Sequence, residues 1–219
     1  KQLDTGPVTR LTFDGRAIRP VWSRNGQYLW YGSRDSTGLN LYRRRADGTG
    51  SPELVLDATD GVEEVVETPD TAVMIVRVSG TGGNAGRRIF LFRPAAGNGD
   101  SALSPLLVSP EYNQMAPALS PDGRWLAYTS NESGRNEVYV RPFPNVEGGR
   151  WQVSRDGGNE PAWAHSGREL YFRAAMPGGS RSVVAVPILP GAGFAMGTQR
   201  VLFEDRFFRD QYHAQYALT

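Results

Sequence analysis

The sequence predicts an all-β fold, a β-propeller of four-stranded antiparallel blades, from three observations. A turn with its following apolar run recurs, each recurrence is flanked by the same succession of strand-like pieces, and no stretch sustains a helical period. Ser23–Tyr31 read S-R-N-G-Q-Y-L-W-Y, Ser120–Tyr128 read S-P-D-G-R-W-L-A-Y, and His165–Phe172 read H-S-G-R-E-L-Y-F. The glycine position falls at Gly26, Thr71, Gly123 and Gly167. The second copy, Thr68-Pro69-Asp70-Thr71, has lost its glycine but kept Pro-Asp.

Four pieces per repeat read as strands. Ahead of the turn stand Arg19–Ser23, Glu64–Thr68, Ala116–Ser120 and Glu160–Ala164; after it stand Gln27–Gly32, Ala72–Val78, Arg124–Thr129 and Arg168–Arg173. The third pieces are Asn40–Arg44, Arg88–Arg93, Glu137–Arg141 and Ser182–Val186. The fourth are Glu53–Leu56, Ser104–Ser109, Arg150–Ser154 and Gln199–Phe203. Each carries β-branched or aromatic residues between Gly, Pro, Asn, Asp or Ser. One such sheet exposes two apolar faces, and stacking on neighbouring sheets buries them. In the turn, Pro presets φ, Asp or Asn bonds back to the backbone, and Gly accepts positive φ. In Trp125-Leu126-Ala127-Tyr128 nearly every position is apolar, as expected of a strand covered on both faces. Arg150-Trp151-Gln152-Val153-Ser154 alternates, as expected of an outer strand.

The expected domain is one propeller over residues 1–219, with blades at about 16–56, 57–109, 110–154 and 155–205. Residues 8–15 resemble Gln152–Gly157 and read as the outermost strand of a preceding partial blade. Residues 207–219 read as the innermost strand of a following one, since Tyr216-Ala217-Leu218-Thr219 matches Pro117-Ala118-Leu119-Ser120.

Composition narrows the function. Net charge is +1 and the longest basic run is Arg43-Arg44-Arg45, so no nucleic-acid partner is expected. Cysteine is absent, which removes disulfides, thiolate nucleophiles and cysteine-based zinc sites. No apolar run reaches 18 residues, so no membrane insertion of this segment is expected. Lys1-Gln2-Leu3-Asp4 carries no signal-peptide pattern and reads as the interior of a longer protein or a trimmed start.

Ala116–Tyr128 (A-P-A-L-S-P-D-G-R-W-L-A-Y) and Asn159–Arg173 (N-E-P-A-W-A-H-S-G-R-E-L-Y-F-R) resemble TolB-type propeller repeats. Asn136–Ser154 (N-E-V-Y-V-R-P-F-P-N-V-E-G-G-R-W-Q-V-S) closely resembles the C-terminal propellers of bacterial membrane-bound serine/threonine kinases and related proteins. The resemblance covers about residues 8–219, strongest over 116–173 and weakest over 57–110. It implies a six-bladed ring of which this chain is a part, and a periplasmic or extracytoplasmic location. It leaves function open, because the same repeats occur in TolB, in kinase sensor regions and in propellers of the prolyl oligopeptidase class.

No catalytic constellation is present: G-x-S-x-G, H-E-x-x-H and Walker motifs are all missing, and no cofactor or metal is expected. Of two histidines, His165 reads as an exposed turn residue, whereas His213 begins the last innermost strand. The glycine-rich stretches Gly80–Gly86 and Gly191–Phe194 read as flexible hairpin loops. Asp57, Asp60, Glu63 and Glu64 lack calcium-loop spacing and read as a solvated acidic loop. Trp22 and Trp163 share a repeat position, opposite Leu119, which argues for packing between blades.

The remaining candidates lie at the heads of the innermost strands, which in a propeller line the channel mouth. Arg19, Glu64 and Glu160 hold equivalent places, with Gln215 equivalent to them and His213 opposite Gln114. These five are the candidate contacts for a ligand or partner; the bland alternative is that they hydrate the mouth or pair with each other. The chain therefore reads as a non-catalytic binding or scaffold propeller for a protein or peptide, with a kinase as a possible covalent neighbour in a sensor. The alternatives are a propeller gating a prolyl oligopeptidase-like hydrolase domain encoded elsewhere in the parent, and a structural subunit of a larger assembly.

Overall fold

The computed structural model describes residues 10–58, 61–69, 74–78, 86–94, 102–175 and 180–205. Its strands fall into four antiparallel sheets, each ordered as the chain runs. The first sheet is β1 (Ala17–Trp22), β2 (Tyr28–Arg34), β3 (Leu39–Arg45) and β4 (Glu53–Leu56). The second is β5 (Val62–Glu67), β6 (Met74–Val78), β7 (Arg88–Arg93) and β8 (Ala102–Leu107). The third is β9 (Gln114–Leu119), β10 (Trp125–Ser130), β11 (Glu137–Pro142) and β12 (Trp151–Gln152). The fourth is β13 (Gly158–Trp163), β14 (Glu169–Ala175), β15 (Arg181–Pro187) and β16 (Arg200–Glu204). Each sheet is one copy of the repeat. The described residues pack as two compact units, one within residues 10–85 and 90–104, the other within 86–89 and 105–205.

The recurring turn joins the first two strands of its sheet. Gly123 N–H donates to Ser120 O (2.8 Å) and Ser120 N–H to Trp125 O (2.8 Å), with the same pair of bonds at Ser23–Gly26 and at Ala164–Gly167. Gly26, Gly123 and Gly167 have φ of 70°, 74° and 68°, where a Cβ would be strained. The serine closes the motif: Trp125 N–H donates to Ser120 Oγ (2.9 Å), whose hydroxyl donates to Asp122 Oδ1 (2.6 Å). Ser23 and Asn25 repeat this at 2.9 and 2.8 Å. The degenerate turn at Thr71 lies outside the described residues.

The innermost strands begin two residues before the sequence places them, and each carries a bulge. In β1 the register slips between Ile18 and Val21; in β13 it slips between Asn159 and Ala162. In β9 it slips between Met115 and Ala118, the partners of Thr129 and Ala127. Each slip contains a proline, at Pro20, Pro117 or Pro161, which has no N–H to give the ladder. The residue before each proline is left-handed: φ is 54° at Arg19, 48° at Ala116 and 55° at Glu160. β5 has no proline, and its slip falls one residue earlier, between Val62 and Glu64. β12 is also shorter than expected, because Val153 and Ser154 both turn their N–H groups to Val138 O (2.8 and 3.4 Å).

Each unit has its own core. Trp30, Leu41, Val62, Val65 and Phe92 cluster in the first; Ala127, Val138, Val140, Leu170, Phe172 and Val186 do so in the second. Trp125-Leu126-Ala127-Tyr128 is covered on both faces, with Leu126, Ala127 and Tyr128 all buried. Burying each large apolar side chain contributes about 1.5–3 kcal/mol. Gly191–Phe194 is more than a hairpin loop: Phe194 is buried, its ring 5.3 Å from both Trp125 and Trp151. Arg124 reinforces that loop by donating to Ala192 O (3.0 Å).

A buried polar side chain at the start of the third strand ties down the loop to the next sheet. In the first sheet it is Asn40, whose Oδ1 accepts from Ala58 N–H (2.9 Å) and whose amide donates to Asp35. In the third it is Glu137, which accepts from Gly157 N–H (3.0 Å), from Arg135 Nε (2.6 Å) and from the Ser154 hydroxyl.

Candidate functional site

The bulges decide what the strand heads present. An L-residue in the left-handed region costs about 1–2 kcal/mol, and a bulge re-aims its side chain relative to the regular pleat. Among the described residues, the three non-glycine residues with positive φ are Arg19, Ala116 and Glu160, and all three hold one repeat position.

In the first unit, Arg19 is partly exposed. Its guanidinium donates to Glu63 O (3.1 Å) on the neighbouring sheet and lies 3.6 Å from the Glu63 carboxylate. Glu64 is half-buried and stands opposite Arg77 in the β5–β6 ladder. The expected acidic loop is therefore partly drawn into structure, with Glu63 engaged by Arg19. Asp60 lies outside the described residues.

In the second unit, Glu160 is 5% exposed. Its carboxylate accepts from Arg173 (2.8 Å), and the Arg173 Nε lies 3.1 Å from Asp205 Oδ2. Glu160 N–H donates to Thr129 Oγ1 (3.2 Å) on the preceding sheet. Two carboxylates thus flank one buried guanidinium. Such a group survives burial only because each charge is paired. His213 and Gln215 lie outside the described residues, and His165 is exposed in its turn.

Arg173, Asp205 and Thr129 were not singled out from the sequence. A signal existed for Arg173: it stands six residues after the turn glycine in the copy whose strand head is Glu160, and Arg77 stands likewise beside Glu64. Asp205 follows β16, beyond any repeated motif, and carries no such signal.

Electrostatics elsewhere serves the hairpins. Asp35 is held well below the usual carboxylate range by hydrogen bonds from Asn40, Thr37 and Tyr42. The same bond pushes Tyr42 up to about 12, and burial pushes Tyr128 up to about 12.

Two grooves open in the second unit. One of about 510 Å³ is floored by Phe172 and Val184 and rimmed by Arg155, Asp156 and Gln199. The other, about 360 Å³, lies between Asp122, Arg124, Arg168 and Pro190. Among the described residues, no group of three or more His, Asp or Glu could hold a metal ion. No helix among them is long and apolar enough to cross a membrane.

No family model matches the sequence, and no curated protein does. Solved structures match the fold. A putative TolB from Agrobacterium tumefaciens aligns with a TM-score of 0.59 at 22% identity, over 77% of this chain and 57% of that one. TolB from Acinetobacter baumannii aligns with a TM-score of 0.65 at 15% identity, over 86% and 43%. A puromycin-hydrolyzing peptidase from Mycobacterium tuberculosis aligns with a TM-score of 0.59 at 14% identity, over 78% and 29%. The chain spans about half the length of the two TolB structures. At these identities the likeness shows the fold, a TolB-like β-propeller.

Proposed function

We propose that this chain is a non-catalytic binding propeller, which meets a protein or peptide partner at the heads of its innermost strands in an extracytoplasmic compartment. The observation that carries this reading is the concentration of backbone strain at one repeat position. Strain of this kind persists where surrounding structure enforces it, and it collects at contact sites. Arg19 is the partly exposed member and supplies a charged contact, with Glu64 beside it on the adjacent sheet. Glu160, sealed by Arg173, holds its strand head in place; in the sequence repeat Gln215 is the equivalent of these strand heads and His213 that of Gln114, and both remain candidate contacts. A sensor attached to a kinase would use such a surface to register its partner.

A second reading is favoured by the likeness to peptidase propellers: here the chain shapes access to a hydrolase domain elsewhere on its polypeptide. A photoreactive residue replacing Arg19 separates the two. A binding propeller gives crosslinks to a distinct partner from Arg19 and none from Leu54, which is exposed on β4. Crosslinks from Arg19 only to a G-x-S-x-G domain of the same polypeptide would establish the second reading instead.

A further inference from the structure

The two sheets of the second unit carry arginine at one repeat position, directly after the turn glycine: Arg124 follows Gly123 and Arg168 follows Gly167. The first unit has Gln27 and Ala72 there. Both arginines line the groove of about 360 Å³, at the ends of the innermost strands remote from Glu160. Their circumstances differ. The Arg124 guanidinium lies 5.4 Å from the Trp125 ring centre and donates to Ala192 O, so it holds the loop between β15 and β16. Arg168 is exposed, and among the described residues its guanidinium has no hydrogen-bond or ion-pair partner. One carboxylate shares the groove. Asp122 Oδ1 accepts from the Ser120 hydroxyl and from Arg124 N–H (3.1 Å), and among the described residues Oδ2 accepts from nothing. Trp125, Ile188, Leu189 and Pro190 supply an apolar wall, and Leu189 is 47% exposed. The larger groove differs, because its rim is already engaged. There Gln199 donates to Val153 O (2.6 Å), and Arg135 reaches the Arg155 carbonyl and lies 3.6 Å from Asp156.

Two guanidinium groups against one carboxylate leave this groove with an excess of one positive charge, which complements a monoanion. A dianion such as phosphate would meet Asp122 as a like charge. A ligand that brings one carboxylate, one N–H donor and an apolar group matches every feature of the groove. We propose that it binds the carboxyl-terminal residue of a peptide whose last side chain is apolar. The terminal carboxylate pairs with Arg168, whose planar fork suits a two-oxygen anion. The amide N–H of the same residue donates to Asp122 Oδ2. Its side chain covers Leu189 and the Trp125 ring and removes apolar surface from water. An acylated chain end is a net monoanion, whereas a free amino acid is a neutral zwitterion, so the charge of the groove favours the chain end. Capture of a terminal carboxylate is a recurring mode of peptide recognition. This is a second site, independent of the strand heads at Arg19 and Glu160.

The test titrates the full isotope-labelled chain, by NMR, with N-acetyl-glycyl-leucine and with its carboxamide. The acid should shift the amides of Arg168, Gly191 and Gly193 and the indole of Trp125. The carboxamide should bind about tenfold or more weakly, having lost the charge-assisted pair. Arg168→Met removes a guanidinium that holds no other part of the described structure. It should weaken the acid by about tenfold and leave the carboxamide where it was. Gly193 gives a second variant, since a Cβ there would meet no atom within 4 Å. Gly193→Leu should keep the circular dichroism of the unaltered chain, fill the groove and abolish binding of the acid. Arg19→Met should leave the acid's affinity unchanged. Free leucine should bind more weakly than the acetylated acid, and the reverse order would overturn the assignment to a chain end. Equal binding of acid and carboxamide would overturn the proposal. So would an acid that shifts none of these signals up to its solubility limit, or one that both variants bind as tightly as the unaltered chain.

Discussion

Arg19 and Glu160 share a backbone and differ in everything around it. Both precede a proline, both are left-handed, and both sit in a bulge of an innermost strand. Arg19 keeps part of its guanidinium in solvent and leans on one carbonyl and one carboxylate of the next sheet. Glu160 is buried and clamped, with Arg173 between it and Asp205. The repeat thus fixes where the chain bends, and each copy then chooses whether that bend is a surface or a joint.

The largest expected effect separates surface from joint. Arg173→Met leaves two buried carboxylates facing each other, and urea unfolding should show a loss of about 3–5 kcal/mol. Arg19→Met removes a partly exposed pair and should cost about 1 kcal/mol or less. Equal losses would erase the distinction. Next, Ala116→Gly should raise stability by about 0.5–1 kcal/mol, since glycine adopts its φ without penalty. A destabilised variant would mean that the left-handed assignment does not describe the strand head.

A smaller contrast lies in the hairpins, where Asn40 works through Asp35 and Glu137 through Arg135. The folded pKa of Asp35 lies below its unfolded value, so its contribution is present above about pH 4, the unfolded value, and fades as pH falls toward the folded one. Asp35→Asn should therefore flatten the acid side of the stability profile and leave the slope above pH 5 unchanged. The smallest effect is spectroscopic. Tyr42 and Tyr128 should ionise near pH 12, later than exposed tyrosines, and Asp35→Asn should bring Tyr42 down while leaving Tyr128 in place.

The same contrast explains what the sequence disclosed. The turn at Ser120–Gly123 was legible because every residue in it answers a local need, whether a hydroxyl acceptor, an Asp or a positive φ. The two-sided burial of Trp125–Tyr128 was legible for a similar reason, since its composition leaves no polar face. The bulges were less visible, although Pro20, Pro117 and Pro161 announce them. A proline inside a strand pattern points to a broken ladder, yet each expected strand runs straight through its proline from Arg19, Ala116 or Glu160, without the slip and two residues short of where the strand begins. The clamp on Arg173 was hidden because it joins three segments that only tertiary packing brings together. Trp22 and Trp163 read alike in sequence, yet one is covered and one exposed; that difference depends on the neighbouring sheet, not on the residue.

The central claim, that the strand heads form a binding surface, is tested most directly by peptides selected from a random display library against the full chain. Their affinities are then measured for Arg19→Glu and for Leu54→Arg, each checked for intact circular dichroism. The account predicts a loss of about tenfold or more, roughly 1.4 kcal/mol, with Arg19→Glu and no change with Leu54→Arg. Peptides that bind the Arg19→Glu chain as well as the unaltered one, and lose affinity with Leu54→Arg, would place the binding surface on the outer strands and contradict it.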